Sequence, residues 1–389
     1  MRRVALVGAG VSKFGVRKAS YRDLIWEAGK ACFDSVPAVA PKDVEGLVVG
    51  SVMPERTAFQ SHISSMAAEA LGIRPSALSA RTEHMCASGT VGIRYAYAFI
   101  AAGLADLVMV LGVEKLNQPS GDEAILNMGT GVDREWEASF GLTAPPCFAL
   151  AAQRHMAEYG TTEAQLAMVG VKNHTHAAKN PNAHFQRGAT LEQVMASRMI
   201  SSPLRLFMCS PITDGAAAVL VASEERARAL TDKPVWIRGT GQALDGFQLT
   251  SLHEDYAHWP ALSRAGQAAY QMAGIGAKDV DVAEIHDCFA IAELIAYEEL
   301  GFCQKGEAGG FVAAGRSDYG GDVVVNPRGG LMGCGHPLGA TGVAQAVEVF
   351  AQLRDEAGPR QVPGASLGLT HNNSGMGEHV VMLYGRETR

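Results

Sequence analysis

Four segments of this 389-residue chain carry side chains suited to chemistry. In Glu83-His84-Met85-Cys86-Ala87-Ser88-Gly89-Thr90 a cysteine sits where a polar turn meets a run of small apolar residues, Val91 to Ala102, that reads as a buried helix. A cysteine in the first turn of a helix faces unpaired backbone N–H groups and the positive end of the dipole. Both stabilise a thiolate and predict a lowered thiol pKa. Ala87, Ser88 and Gly89 leave room for something large to approach the sulfur. Position alone fits a buried structural cysteine equally well.

The second segment is Glu284-Ile285-His286-Asp287-Cys288-Phe289, at the end of a buried strand, where loops of α/β folds line a cleft. It fits either a cleft wall or a buried cysteine beside a turn. The third, Asn326 to Gly342, is dense in glycine and holds Gly335-His336-Pro337 at the mouth of a helix. A histidine near a cysteine is the common way to take and hold a thiol proton, which makes His336 a base for Cys86. The fourth, Gly368-Leu369-Thr370-His371-Asn372-Asn373-Ser374-Gly375-Met376-Gly377, reads as a flexible polar loop whose backbone N–H groups suit a carbonyl oxygen. A metal is not expected. His174, His176 and His184 have no tight helical ligand spacing, and no cysteine or carboxylate completes a set.

These segments need a frame, and the chain supplies one twice. Ala28-Gly29-Lys30-Ala31-Cys32-Phe33, Lys42-Asp43-Val44-Glu45 and Gly46-Leu47-Val48-Val49-Gly50 match Ala265-Gly266-Gln267-Ala268-Ala269-Tyr270, Lys278-Asp279-Val280-Asp281 and Val282-Ala283-Glu284-Ile285-His286. Val4 to Gly10 resembles Val235 to Gly241, and Ala87 to Val91 lines up with Gly339 to Val343, all in the same order. Each half reads strand, helix, strand, helix, strand, which predicts an α/β fold of two pseudo-symmetric mixed-sheet halves. The expected organisation is a first half over 1–116 with 210–232, an inserted loop domain over 117–209, and a second half over 233–389. Residues 320–326 are expected as a strand of the second half. In the insertion, helices are expected over 148–159 and 162–176, and the segment is long enough to cover substrate. Met128, Trp136, Phe140 and Phe148 fit an acyl pocket or a core, and core filling is the favoured reading.

Composition narrows the classes. Hydrophobic residues make up 47% and charged residues 19%, an ordinary globular balance. A net charge of -7 offers no basic footprint for nucleic acid. The seven cysteines form no CxxC pair, which argues for a reducing compartment. The most membrane-like stretch, Tyr95 to Val113, is split by Gly103 and Asp106, so no membrane span is expected. No targeting tail and no appended lipid-carrier domain are expected, and the cytoplasm is the default location.

Taken together and in order, the segments resemble the thiolase superfamily over essentially the whole chain. Met85-Cys86-Ala87-Ser88-Gly89 is similar to its nucleophile motif, Asp214-Gly215-Ala216-Ala217-Ala218 to the strand motif closing the first half, and Asn326 to Gly342 to its histidine loop. His286-Asp287-Cys288-Phe289, His155-Met156-Ala157-Glu158-Tyr159-Gly160 and Asn180-Pro181-Asn182-Ala183 resemble the sterol-carrier-protein-type branch. His371 stands where better-known thiolases carry a second catalytic cysteine; in this branch the resemblance moves that acid/base role to Cys288.

The resemblance implies a layered αβαβα fold and a homodimer, with no cofactor beyond the coenzyme A thioester that is substrate. It also implies an acyl-cysteine on Cys86. The oxyanion would be held by the N–H of Cys86 and a backbone N–H near Asn373, with Gly335 and His371 among the substrate-contacting positions. Cys288 would then remove the α-proton of a second acyl-CoA, and His336 and His286 would hold the enolate oxygen. The leading expectation is a thiolase acting on 3-oxoacyl-CoA. A related C-acyltransferase or carbon–carbon lyase with a small partner protein comes second, and a non-enzymatic acyl-CoA-binding protein third.

Overall fold

The computed structural model describes residues 2–117, 121–249 and 256–386. Its central strands Gly46–Gly50, Leu107–Glu114 and Gly215–Ser223 are largely apolar runs buried on both faces, the pattern of sheets covered by helices on either side. In the first half these are β1 (Val4–Val11), β2 (Gly46–Gly50), β3 (Leu78–Thr82) and β4 (Leu107–Glu114). A small hairpin follows, β5 (Met199–Ser201) and β6 (Leu204–Arg205), before β7 (Gly215–Ser223) returns to the sheet. The second half contributes β8 (Val235–Leu244), β9 (Val282–Glu284), β10 (Val324–Val325), β11 (Leu367–Ser374) and β12 (Glu378–Gly385).

The main sheet runs β10-β9-β11-β12-β8-β1-β7-β4-β2-β3. Within each half the topology is the same. β3, β2 and β4 are parallel, then β7 and β1 run antiparallel. β10, β9 and β11 are parallel, then β12 and β8 run antiparallel. The two halves meet edge to edge, with Ala5 opposite Trp236 and Leu6 opposite Val235. The repeat in the sequence is therefore a repeat in space.

Helices complete the layers. Tyr21–Asp34 packs outside β1 and β7, and Pro260–Ala273 packs outside β8 and β12. Leu338–Leu353 lies between the halves, touching β4 and β7 on one side and β9 and β11 on the other, and it crosses the helix Ser88–Ala101. The crossing explains the glycines. A Cβ on Gly89 would stand 2.7 Å from the carbonyl oxygen of Gly339, and one on Gly342 would collide with Thr90. The two matching N-terminal turns can touch only because neither has a side chain there.

Three local expectations change. Residues 320–326 pair only at Val324–Val325. The polar segment after the last core strand is not a flexible loop: Leu367–Ser374 is hydrogen-bonded strand, and only residues 375–377 turn before β12. Its polar residues tolerate burial because Asn372 finds partners in Thr90 and His286. Finally, Cys86 does not lie in the first helical turn; the helix begins at Ser88, with Ala87 as its N-cap. Between β4 and β7 the described residues form the helices Gly121–Met128, Ala144–Tyr159, Glu163–Ala177 and Leu191–Ala196.

Candidate active site

Cys86 sits on a tight turn that its neighbours pin. Met85 has φ +43°, the left-handed region, so the chain reverses sharply just before the sulfur. Ser88 Oγ accepts from His84 N–H at 2.9 Å and donates to Met85 O at 2.6 Å. Ala87 N–H donates to His84 O at 2.9 Å. Val52, Met53, Leu116 and Leu338 pack around the turn. Cys86 is thereby fixed in the wall of a cavity of about 550 Å³.

Two histidines converge on it. One ligand atom each from Cys86, His286 and His336 lie within 4.8 Å of one another. The two rings meet edge to face with centroids 5.0 Å apart. His336 Nδ1 is 2.7 Å from Thr341 Oγ1, one turn into the following helix, and His286 Nδ1 is 2.9 Å from the side-chain nitrogen of Asn372 on β11. Nε2 of both rings is buried with no protein partner. The cavity wall also carries Cys288 and Asn373, whose amide nitrogen is likewise buried and unpartnered.

Two carboxylates hold these segments together. Asp287 accepts Leu331 N–H at 2.6 Å and Met332 N–H at 3.2 Å, and the amide of Asn173 at 2.7 Å. It thus ties the His286–Cys288 segment to the loop that ends in His336. Glu114, the last residue of β4, accepts Val52 N–H at 2.7 Å, Tyr21 O–H at 3.0 Å and Gly339 N–H at 3.1 Å. It anchors the helix that follows His336 to the first half.

The electrostatics differ from the simple thiolate picture. Burial pushes the Cys86 thiol up to about 12, and the carboxylates Glu114 and Glu83 add to the rise. Burial pulls His336 down to about 3, with Arg328 helping, and pulls His286 well below its ordinary value. Burial also raises Cys288, with Cys86 and Asp287 adding to it. The lowered Cys86 pKa expected from the sequence is overturned: desolvation outweighs whatever the nearby helix end contributes. Burial therefore favours the neutral thiol and the neutral imidazoles in this site.

The N-terminal thiolase family model, "Thiolase, N-terminal domain", matches residues 4–194, and "Thiolase C-terminal domain-like" matches residues 241–386. The chain belongs to the thiolase superfamily. It is 44% identical over 378 residues to an acetyl-CoA acetyltransferase of Methanothermobacter thermautotrophicus, covering 97% of each. It is 38% identical over 399 residues to sterol carrier protein 2 of Bos taurus, covering 98% of this chain and 72% of that one, which supports the sterol-carrier-protein-type branch. Among solved structures, "Ltp2-ChsH2(DUF35) aldolase" superposes with a TM-score of 0.85 at 28% identity, over 100% of this chain and 99% of that one.

In this thiolase Cys86, His286, Cys288, His336 and Asn373 all face one cavity. His371 and Gly335 do not line it. His371 Nε2 lies 3.1 Å from Nδ1 of His379 in a buried stack, and a Cβ on Gly335 would press on Thr213 and His184. His174, His176 and His184 stay apart. His174 packs on Phe185 and Phe207, His176 bonds to Asn326 O and Asp318, and His184 bonds to Thr213. Of the four large residues favoured as core, Met128 and Phe148 line the cavity, while Trp136 and Phe140 are 72% and 82% exposed. Phe148 is also core-like, stacked on Phe289 with centroids 4.7 Å apart. Sequence reasoning gave no role to Glu114, Asn372 or Thr341, each of which positions a segment or ring of the site. For Glu114 a signal existed, a carboxylate closing an otherwise apolar buried strand. Asn372 and Thr341 lie in segments the sequence singled out, but nothing in them pointed to these two positions.

Proposed function

We propose that this chain forms or cleaves 3-oxoacyl-CoA by acyl transfer through Cys86, with the acyl-CoA thioester as substrate and no other cofactor. The observation that carries this reading is the convergence of the Cys86 sulfur with His286 and His336 on the wall of a largely apolar cavity, both Nε2 atoms unpartnered. His336 takes the Cys86 proton as the sulfur attacks the thioester carbonyl, so the thiolate exists only when there is something to attack. The oxyanion is held by the N–H of Cys86 and a backbone N–H near Asn373. Coenzyme A departs with the proton of the Cys288 thiol, leaving acyl-Cys86, a Cys288 thiolate and a protonated His336.

In the synthetic direction Cys288 removes the α-proton of a second acyl-CoA, and His286 and His336 hold the enolate oxygen. The carbanion attacks the acyl carbonyl, the Cys86–acyl bond breaks, and His336 returns its proton to the Cys86 thiolate, while Cys288 keeps the α-proton and is a thiol again. Thiolysis is the reverse. We read 117–209 as a cover over the first half (1–116 with 210–232), supported by cavity-lining Met128, Leu142 and Phe148, and 233–389 as the second half. A homodimer is supported by the open edge at β3. A cytoplasmic location is supported by seven free cysteines. No described helix is long and apolar enough to cross a membrane.

Intact-mass and peptide mass spectrometry after brief incubation with acetyl-CoA and acetoacetyl-CoA tests this, with Cys86→Ala alongside. One acyl group on the Cys86 peptide, absent in the variant, supports the reading. Absence of any adduct with these and longer acyl-CoA donors sinks it. A second reading, a carbon–carbon lyase or C-acyltransferase needing a small partner protein, draws on the likeness to the aldolase assembly. It predicts that turnover appears only when the partner is added.

A further inference from the structure

The catalytic pocket also has the makings of a soft-metal site. Cys86, His286 and His336 offer one ligand atom each, all within 4.8 Å of one another, and no other such group occurs among the described residues. Both imidazole Nε2 atoms are buried and unpartnered, so a cation would satisfy two orphaned polar atoms at once. Each ring is held from behind at Nδ1, His336 by Thr341 and His286 by Asn372. Metal-bound histidines donate an N–H from the outer nitrogen, as His336 already does to Thr341; His286 must first move its ring proton.

We propose that this pocket captures one thiophilic divalent cation of the Zn²⁺ class through Cys86 Sγ, His286 Nε2 and His336 Nε2, leaving the fourth position open to the acyl cavity. A sulfur and two imidazole nitrogens suit Zn²⁺ or Cd²⁺ and not Mg²⁺ or Ca²⁺, which require oxygen ligands. Ligand atoms in a tetrahedral zinc site stand roughly 3.3–3.6 Å apart, so the pocket closes on the ion by about an ångström. The three ligands come from three segments fixed by packing, the Cys86 turn, the end of β9 and the turn ahead of the helix Leu338–Leu353.

Protons and charge balance. Cys86 gives its proton to solvent as the S–metal bond forms. The Thr341 contact keeps the His336 ring proton on Nδ1, so its Nε2 can bind as it stands. His286 moves its ring proton from Nε2 to Nδ1 through solvent, and the Asn372 amide turns over so that its oxygen accepts that N–H. Thr90 Oγ1 then accepts from the amide nitrogen. The bound ion occupies the nucleophile and the base together, so it competes with acyl-CoA. Only that consequence rests on the acyltransferase reading; the site does not.

Cd²⁺ titration of the whole chain, read by the ultraviolet thiolate-to-metal charge-transfer band and by equilibrium dialysis, tests the proposal. The expected result is one ion per chain and a band lost in Cys86→Ser and in wild-type protein alkylated at Cys86. Affinity falls at least about tenfold in His286→Gln and His336→Gln, and rises in Asn372→Asp, which supplies a permanent acceptor behind His286. A wild-type protein with no band, a band that survives Cys86→Ser and alkylation, or affinity unmoved by both glutamine variants overturns it. Acyl-enzyme mass is measured on the same samples, so loss of metal binding with intact acylation sinks this site and spares the acyl-transfer reading.

Discussion

The side-chain nitrogen of Asn372 lies 2.9 Å from Nδ1 of His286, because the Asn372 oxygen is engaged by Thr90. Nδ1 therefore accepts, and the ring proton sits on Nε2, facing the substrate. His336 is set the other way. The Thr341 hydroxyl donates to Pro337 O at 3.1 Å and accepts from His336 Nδ1 at 2.7 Å, which leaves a lone pair on Nε2. Two histidines side by side are thus assigned to two roles, donor and base, by their neighbours and not by charge.

Asn372→Leu removes the group that fixes the His286 tautomer while keeping the strand apolar and filled. Turnover is expected to fall about 100-fold, the order seen when one oxyanion donor is lost. Alkylation of Cys86 by iodoacetamide is expected to stay at the wild-type rate, because His336 and Thr341 are untouched. Steady-state kinetics and alkylation rates measured on one preparation check this. Full turnover in the variant would show that His286 needs no orientation from β11.

The raised Cys86 thiol gives a second prediction. Where the thiol pKa lies near 12, the thiolate fraction grows about tenfold per pH unit between pH 7 and pH 10. The alkylation rate of Cys86, followed by peptide mass spectrometry, should climb with that slope and show no plateau near neutrality. A pH-independent rate from pH 6 upward would mean a preformed thiolate and overturn the neutral-pair description.

Glu114 links structure to reactivity. Its carboxylate accepts N–H groups of Val52 and Gly339 and raises the Cys86 thiol. Glu114→Gln keeps the shape, weakens those bonds and removes the charge. The expected cost is about 1–3 kcal/mol of stability in urea unfolding. Cys86 alkylation at pH 8 should become faster, since the repulsion opposing the thiolate is gone. Slower alkylation would mean that Glu114 acts on Cys86 through position alone.

How much of this was legible in the sequence follows from contact range. His336 could be read because its motif is contiguous: Pro337 and the glycines around it shape one loop. The two-half architecture could be read because the strand and helix repeats keep their order. Glu114 and Asn372 could not be assigned, because each acts on a segment from the other half, Glu114 on Gly339 and Asn372 on Thr90. Trp136 and Phe140 misled because hydrophobicity signals burial only where a periodic element turns the residue inward. Trp136 sits in a turn and Phe140 ends a three-residue 3-10 helix, too short to set one face inward. The Cys86 pKa misled because helix ends are visible in sequence and desolvation is not.

The cavity wall supplies the last prediction. A space of about 550 Å³ lined by Met128, Leu142, Phe148, Leu249, Phe289 and Met376 is far more than an acetyl group needs. Longer acyl-CoA donors should therefore label Cys86 as well as acetyl-CoA does. Phe148 stacks on Phe289 at 4.7 Å and is buried, so Phe148→Trp pushes extra ring volume into that space at about 1–3 kcal/mol of packing strain. The ratio of octanoyl to acetyl labelling is expected to drop at least about tenfold, the scale of a methylene or two refused by an apolar pocket. Competition labelling with an equimolar donor mixture reads that ratio directly and cancels any general loss of folded protein. An unchanged ratio would place the acyl chain elsewhere, along the Met85–Leu116 side of the cavity.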